Sequence, residues 1–149
     1  MRRPTLLLTA LCLLAVAACK SESDEDLIEK KVRAALTAVD EKKAGDVVAD
    51  AAEDFRGPRN IDLRETRRYV TGYMLGSGWL RAFERKLDVS VDGTTAHVDL
   101  EVVLAQGQEV KSIEDVLPTN GSVLDFDLEL EKRAGDWKFV KGEYKQLKW

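Results

Sequence analysis

Cysteine is scarce: the 149-residue chain has two, Cys12 and Cys19, and Cys12 lies in an apolar stretch at the N-terminus, so no disulfide framework holds this fold. Histidine occurs once, at His97. There is no His-Glu-x-x-His helix, no Gly-x-Ser-x-Gly elbow and no phosphate loop, and Gly72 to Gly78 has the wrong spacing for either glycine-rich nucleotide fingerprint. The sequence therefore calls for no cofactor. No apolar run reaches the roughly 20 residues needed to cross about 30 Å of hydrocarbon. An excess of positive charge is also missing: 23 Lys+Arg stand against 27 Asp+Glu. A domain with this balance lacks the basic excess that nucleic-acid binding uses, which argues against a DNA or RNA partner.

What is there begins with an address. Arg2 and Arg3 form a short basic region, followed by 13 apolar residues, Leu6 to Ala18, broken only by Thr9. These are the proportions of a signal peptide, here residues 1–18. The run closes on Val16-Ala17-Ala18-Cys19, which resembles the lipobox of bacterial lipoproteins. That resemblance implies cleavage before Cys19, acylation of its thiol, and a membrane partner through the fatty chains. Two or three chains at about 0.8 kcal/mol per buried CH₂ make a lasting anchor. Lys20, where an inner-membrane retention signal would carry Asp, points to the outer membrane, with the protein facing the periplasm.

Beyond Cys19, residues 19–26 read as an acidic tether and 27–149 as one domain. Without Arg2 and Arg3 the net charge moves from −4 to −6. Its distribution is uneven, at −5 over 19–55, +5 over 56–86 and −6 over 87–149. About 123 residues are enough to bury two thirds of the unfolded chain's surface without a metal or a disulfide.

The apolar period changes once along the domain. Leu27, Ile28, Val32, Ala35, Leu36 and Val39 make a helical stripe, with Ser23 as its cap and Asp24 to Asp26 at its positive end. Val47, Val48, Ala51, Ala52 and Phe55 predict a second, shorter helix after Gly45-Asp46, ended by Gly57-Pro58. A third starts near Asp62 and carries Leu63, Val70, Tyr73 and Met74 as far as Gly76. After Lys86 the period drops to two, with Asp92-Gly93 as a hairpin turn. Strands follow on Ala96, Val98, Leu100, Val102 and Leu104, then on Leu124, Phe126, Leu128 and Leu130, and then from Trp137 to Trp149. Apolar parity slips in the last of these, which predicts a bulge near Phe139. Three helices packed on a curved antiparallel sheet of about four strands make an α+β domain.

This order of elements, the segment Ala44 to Arg56 and the closing strand Gly135-Asp-Trp-Lys-Phe-Val140 resemble the nuclear-transport-factor-2-like superfamily. The likeness covers about Leu27 to Trp149. It implies a cone with an apolar pocket for a small apolar ligand, and a homodimer through the open sheet face. Its members range from ketosteroid isomerases and polyketide cyclases to transport adaptors, so fold alone does not assign a use. A cystatin-like sheet wrapping one long helix is the competing architecture.

Candidate site residues fall into three sets. Tyr69, Tyr73, Trp79 and Phe126 are placed to line the pocket. His97 shares a strand face with Asp99 and Glu101, opposite Val98 and Leu100, which marks a solvated position rather than a catalytic base or metal ligand. Every acid in the predicted strands lies on the polar parity, so no carboxylate is available to be tuned by burial in the pocket, and no catalytic residue is assigned. Arg64, Arg67 and Arg68, at i, i+3 and i+4, share one helical face suited to phosphate or carboxylate. The alternative for that face is pairing with the acidic ends of the same chain. The expected function is a lipid-anchored envelope protein whose domain binds a ligand or a protein partner without catalysis. An isomerase- or cyclase-type enzyme is the alternative.

Overall fold

The computed structural model describes residues 21–149. The signal segment, Cys19 and Lys20 lie outside the described residues. Helix α1 (Asp24–Asp40) starts where the sequence places its cap: the Ser23 side chain accepts from the Asp26 N–H, and Asp26 accepts in turn from the Ser23 N–H. It therefore begins inside the stretch read as tether. A single turn, α2 (Ala44–Val47), is followed by strand β1 (Ala51–Arg56), a short 3₁₀ turn (Pro58–Asn60) and helix α3 (Leu63–Gly76). Four long strands complete the chain: β2 (Trp79–Asp92), β3 (Thr95–Gly107), β4 (Gly121–Arg133) and β5 (Asp136–Leu147).

The result is an α+β domain on a five-stranded mixed sheet, in the order β1-β5-β4-β3-β2. The sequence reading expected about four strands, all antiparallel, and a second helix running to Phe55. Instead that helix stops at Val47, and Ala51–Arg56 pairs in parallel with the edge of β5, Ala51 opposite Phe139. Ala and Glu favour helix, but propensity here is worth only tenths of a kcal/mol per residue. Pairing with β5 buries Ala52 and seats Phe55 against Gly142, where a Cβ would stand 3.3 Å from the ring. A second correction concerns β2, which opens at Trp79 rather than after Lys86. A bulge at Arg85, between Glu84 and Lys86, reverses its parity and hides the first half of the strand from a period-two reading.

Both tight turns follow their sequence. Gly93 sits at φ +61° in the β2–β3 hairpin, and Ala134-Gly135 at +50° and +80° in the β4–β5 hairpin. The bulge expected near Phe139 falls at Val140, since Leu130 pairs with Phe139 and Glu129 with Lys141.

Two cores share the sheet. On its helix-bearing face, Ile28 and Val32 of α1 meet Ala96, Val98, Leu100, Val102, Leu130 and Trp137. On the other face Val103, Ala105 and Val123 are covered by Val110 and Val116 of the 108–120 loop. The strict inside–outside alternation expected of β3 is thus lost at its end, where the adjacent Val102 and Val103 are both 2% exposed. Among the described residues, every member of either core lies between Leu27 and Leu147.

Candidate functional site

Helix α3 is placed by an acid cap. Asp62 Oδ1 accepts from the Glu65 N–H at 2.8 Å, and Glu65 Oε2 accepts from the Asp62 N–H at 3.2 Å. The buried Thr66 hydroxyl donates back to the Asp62 carbonyl at 2.8 Å, which fixes the first turn. From this start α3 lies over the end of the sheet that α1 leaves open, and two tyrosines reach down from it. The phenolic oxygens of Tyr69 and Tyr144 (β5) are 3.0 Å apart, and the Tyr73 hydroxyl donates to Gln106 Oε1 (β3) at 2.9 Å. Phe126 of β4 stacks at a tilt against Tyr144, with centroids 5.6 Å apart.

Burial pushes the Tyr73 phenol above its ordinary pKa. The Tyr144 phenol is pushed up as well, first by its hydrogen bond to Tyr69 and then by burial, against a smaller downward pull from the Arg59 cation. Both stay neutral at physiological pH; Tyr73 donates to Gln106, and either phenol of the Tyr69–Tyr144 pair can be the donor. Arg59 and Asn60, at φ +59° and +64°, put two consecutive non-glycine residues in the left-handed region beside this cluster.

Of the four residues expected to line a pocket, Tyr69, Tyr73 and Phe126 gather at this site. Trp79 does not join them: its parity turns it to the opposite face, where it packs on the Val103–Val123 core. The sequence reading missed Tyr144, Gln106 and Arg59. Tyr144 had a readable signal, because it shares inward parity with Gly142 and falls opposite Phe126 in the register. Gln106 had none, since an amide at a strand end is unremarkable in sequence.

His97 lies on the other face, half exposed, with Nε2 3.4 Å from Asp99 Oδ1 and Nδ1 3.5 Å from Asp127 Oδ1. It sits beside an unusual row. Asp88, Asp99, Asp127 and Glu143 stand directly opposite one another across β2, β3, β4 and β5. Like charges so placed repel; Lys86, 2.8 Å from Asp88, offsets part of that. Elsewhere on the face opposite charges pair across strands, Lys145 with Asp125 at 3.0 Å and Lys141 with Glu129 at 3.4 Å. Among the described residues no group of three or more His, Cys, Asp or Glu side chains could hold a metal ion.

Arg64, Arg67 and Arg68 come together on the outward face of α3. With Thr71, Gly72 and Leu75 they border an open hollow of about 460 Å³. None of the three has a carboxylate within 4.0 Å among the described residues, whereas Arg33, Arg85 and Arg133 are all paired. The pairing with the chain's own acidic ends, weighed above as the alternative for these arginines, does not form.

Solved structures identify the architecture. A protein of unknown function from Pseudomonas putida KT2440, described as NTF2-like, superposes with a TM-score of 0.67 over 81% of this chain and 84% of its own, at 12% identity. The fold is NTF2-like. An uncharacterised protein with a cystatin-like fold from Caulobacter vibrioides matches at 0.66, over 83% and 89% of the two chains, at 12% identity. Hexachlorocyclohexane dehydrochlorinase LinA-type3 from Novosphingobium barchaimii LL02 matches at 0.64, over 82% and 85%, at 15% identity. Proteins of unknown function and an enzyme thus share one NTF2-like frame. No protein-family model matches the sequence. No curated protein matches it either.

Proposed function

We propose that this chain is a lipid-anchored protein of the bacterial cell envelope, acylated at Cys19 and facing the periplasm from the outer membrane, whose NTF2-like domain is a non-catalytic binding module. The observation that carries the second half is the chemistry of the helix-covered face. Tyr69 pairs with Tyr144 and Tyr73 with Gln106, and the chain's histidine stands on the opposite side of the sheet. Proton abstraction from carbon at neutral pH calls for a positioned base. Among the described residues no carboxylate or imidazole is bonded into this cluster. The anchor is supported by the basic region, the 13-residue apolar run and the Ala-Ala-Cys ending.

Labelled palmitate added to expressing cells tests the anchor: the expectation is incorporation into the wild type and none into Cys19→Ser, which should also accumulate as unprocessed precursor. Normal processing and membrane retention of Cys19→Ser would refute it. The second reading, an isomerase- or cyclase-type enzyme, draws on one observation, the phenol pair at 3.0 Å that could polarise a carbonyl. Turnover of a Δ5-3-ketosteroid by the purified domain, lost in Tyr144→Phe, would replace the binding module with that enzyme.

A further inference from the structure

The outward face of α3 has features that the tyrosine cluster does not use. Arg64, Arg68, Thr71 and Leu75 follow at i, i+4, i+7 and i+11, which aligns them along one stripe, with Arg67 alongside. The guanidiniums are exposed and unpaired, and Gly72 and Thr71 keep the floor between them low. Leu75 closes the stripe at 82% exposure, the most exposed large apolar side chain among the described residues. Glu65, the one acid of the helix, is turned to the Asp62 cap. The face is therefore purely cationic with one apolar end, on a domain that is acidic elsewhere.

We infer that this face docks on the anionic phospholipid headgroups of the membrane, the three arginines on phosphate oxygens and Leu75 at the acyl boundary. Guanidinium forks suit phosphate, and a basic face that also exposes an aliphatic residue is the pattern of a helix lying in a membrane interface. An acidic protein would use the arginines but leaves Leu75 unexplained. The inference rests on the anchoring reading only in that acylation at Cys19, five positions before Asp24, would hold the whole domain at a membrane surface.

The test uses residues 21–149, which contain both cores and lack Cys19, so it is independent of acylation. Co-sedimentation with vesicles of equimolar phosphatidylglycerol and phosphatidylcholine, against phosphatidylcholine alone, should show binding to the first only, weakening as salt is raised. At about fivefold per arginine near an anionic surface, Arg64→Gln/Arg67→Gln/Arg68→Gln should lose binding by on the order of a hundredfold. Leu75→Asn should weaken it, and Lys141→Gln/Lys145→Gln on the opposite face should not. Unchanged unfolding midpoints would show that each variant is folded. Equal binding to both vesicles, insensitivity to salt, or full binding by the triple variant overturns the inference, as does capture by polyglutamate with no vesicle binding. Palmitate labelling that fails while vesicle binding persists removes the anchor and leaves this face; the reverse removes the face and leaves the anchor.

Discussion

Asp24 does three jobs with one carboxylate. As the first residue of α1 it favours the helix's positive end, and its Oδ1 accepts from Lys132 Nζ at 2.8 Å and from Trp137 Nε1 at 2.9 Å. Those bonds, Lys132 first, hold its pKa below the usual carboxylate value. Trp137 is 1% exposed, so its N–H has no solvent to turn to. Asp24→Ala should lower the urea midpoint clearly more than Asp24→Asn, whose amide oxygen still accepts from the indole; equal effects would show that the indole bond contributes nothing. The strand register has a similar residue-level check. Val98 is wholly buried and His97 half exposed, so Val98→Asp should leave the domain unfolded at 25 °C, while His97→Ala should stay within about 0.5 kcal/mol of wild type by urea unfolding.

The elements differ in how clearly the sequence announced them. The starts of α1 and α3 were readable because their caps are side-chain chemistry, Ser23 ahead of three acids and Asp62 ahead of the third stripe, although 19–26 was read as tether; β4 was readable because its four apolar residues alternate cleanly with acids. β1 was not readable, since Ala-Ala-Glu-Asp-Phe-Arg becomes a strand only through a parallel partner more than 80 residues away. At the site, three of the four aromatics expected together do meet. Trp79 was lost because one bulge at Arg85 changes the side on which the residues before it fall. The loop over the second core gives a test at this scale. A Cβ on Gly121 would lie 2.3 Å from Val116 Cγ1 and 3.0 Å from the Trp149 ring. Gly121→Ala should cost about 1–3 kcal/mol by urea unfolding as that packing is forced apart. An unchanged midpoint would mean that the 108–120 loop yields freely and is no part of the core.

Taken whole, the molecule keeps its charge in separate regions. Acids dominate the outer sheet, while unpaired arginines occupy α3 and the segment just before it. Three carboxylates tie elements together and are held below their ordinary pKa: Asp24 by Lys132, Asp54 by Arg133, and Asp136 by Lys138 and Lys31. A depressed folded-state pKa contributes stability above the unfolded value of 3.8, and that stability is lost as pH falls through the folded value. The domain should therefore keep its carboxylate-linked stability at pH 5 and lose it below about pH 3.8. Unfolding followed by tryptophan fluorescence across that range checks it, and Asp24→Asn should show a shallower decline. A flat profile below pH 3.8 would mean that the three pairs hold no stability.

The bond from Asp24 to Trp137 also decides how the domain meets mechanical load. A pull on the segment before Ser23 arrives at the first residue of α1, which is fastened to Lys132 and Trp137 on either side of the β4–β5 turn. Force then passes into the centre of the sheet instead of peeling the helix away turn by turn. A protein held by its N-terminus and tugged by its surroundings would yield as one unit, at the force needed to break into its core.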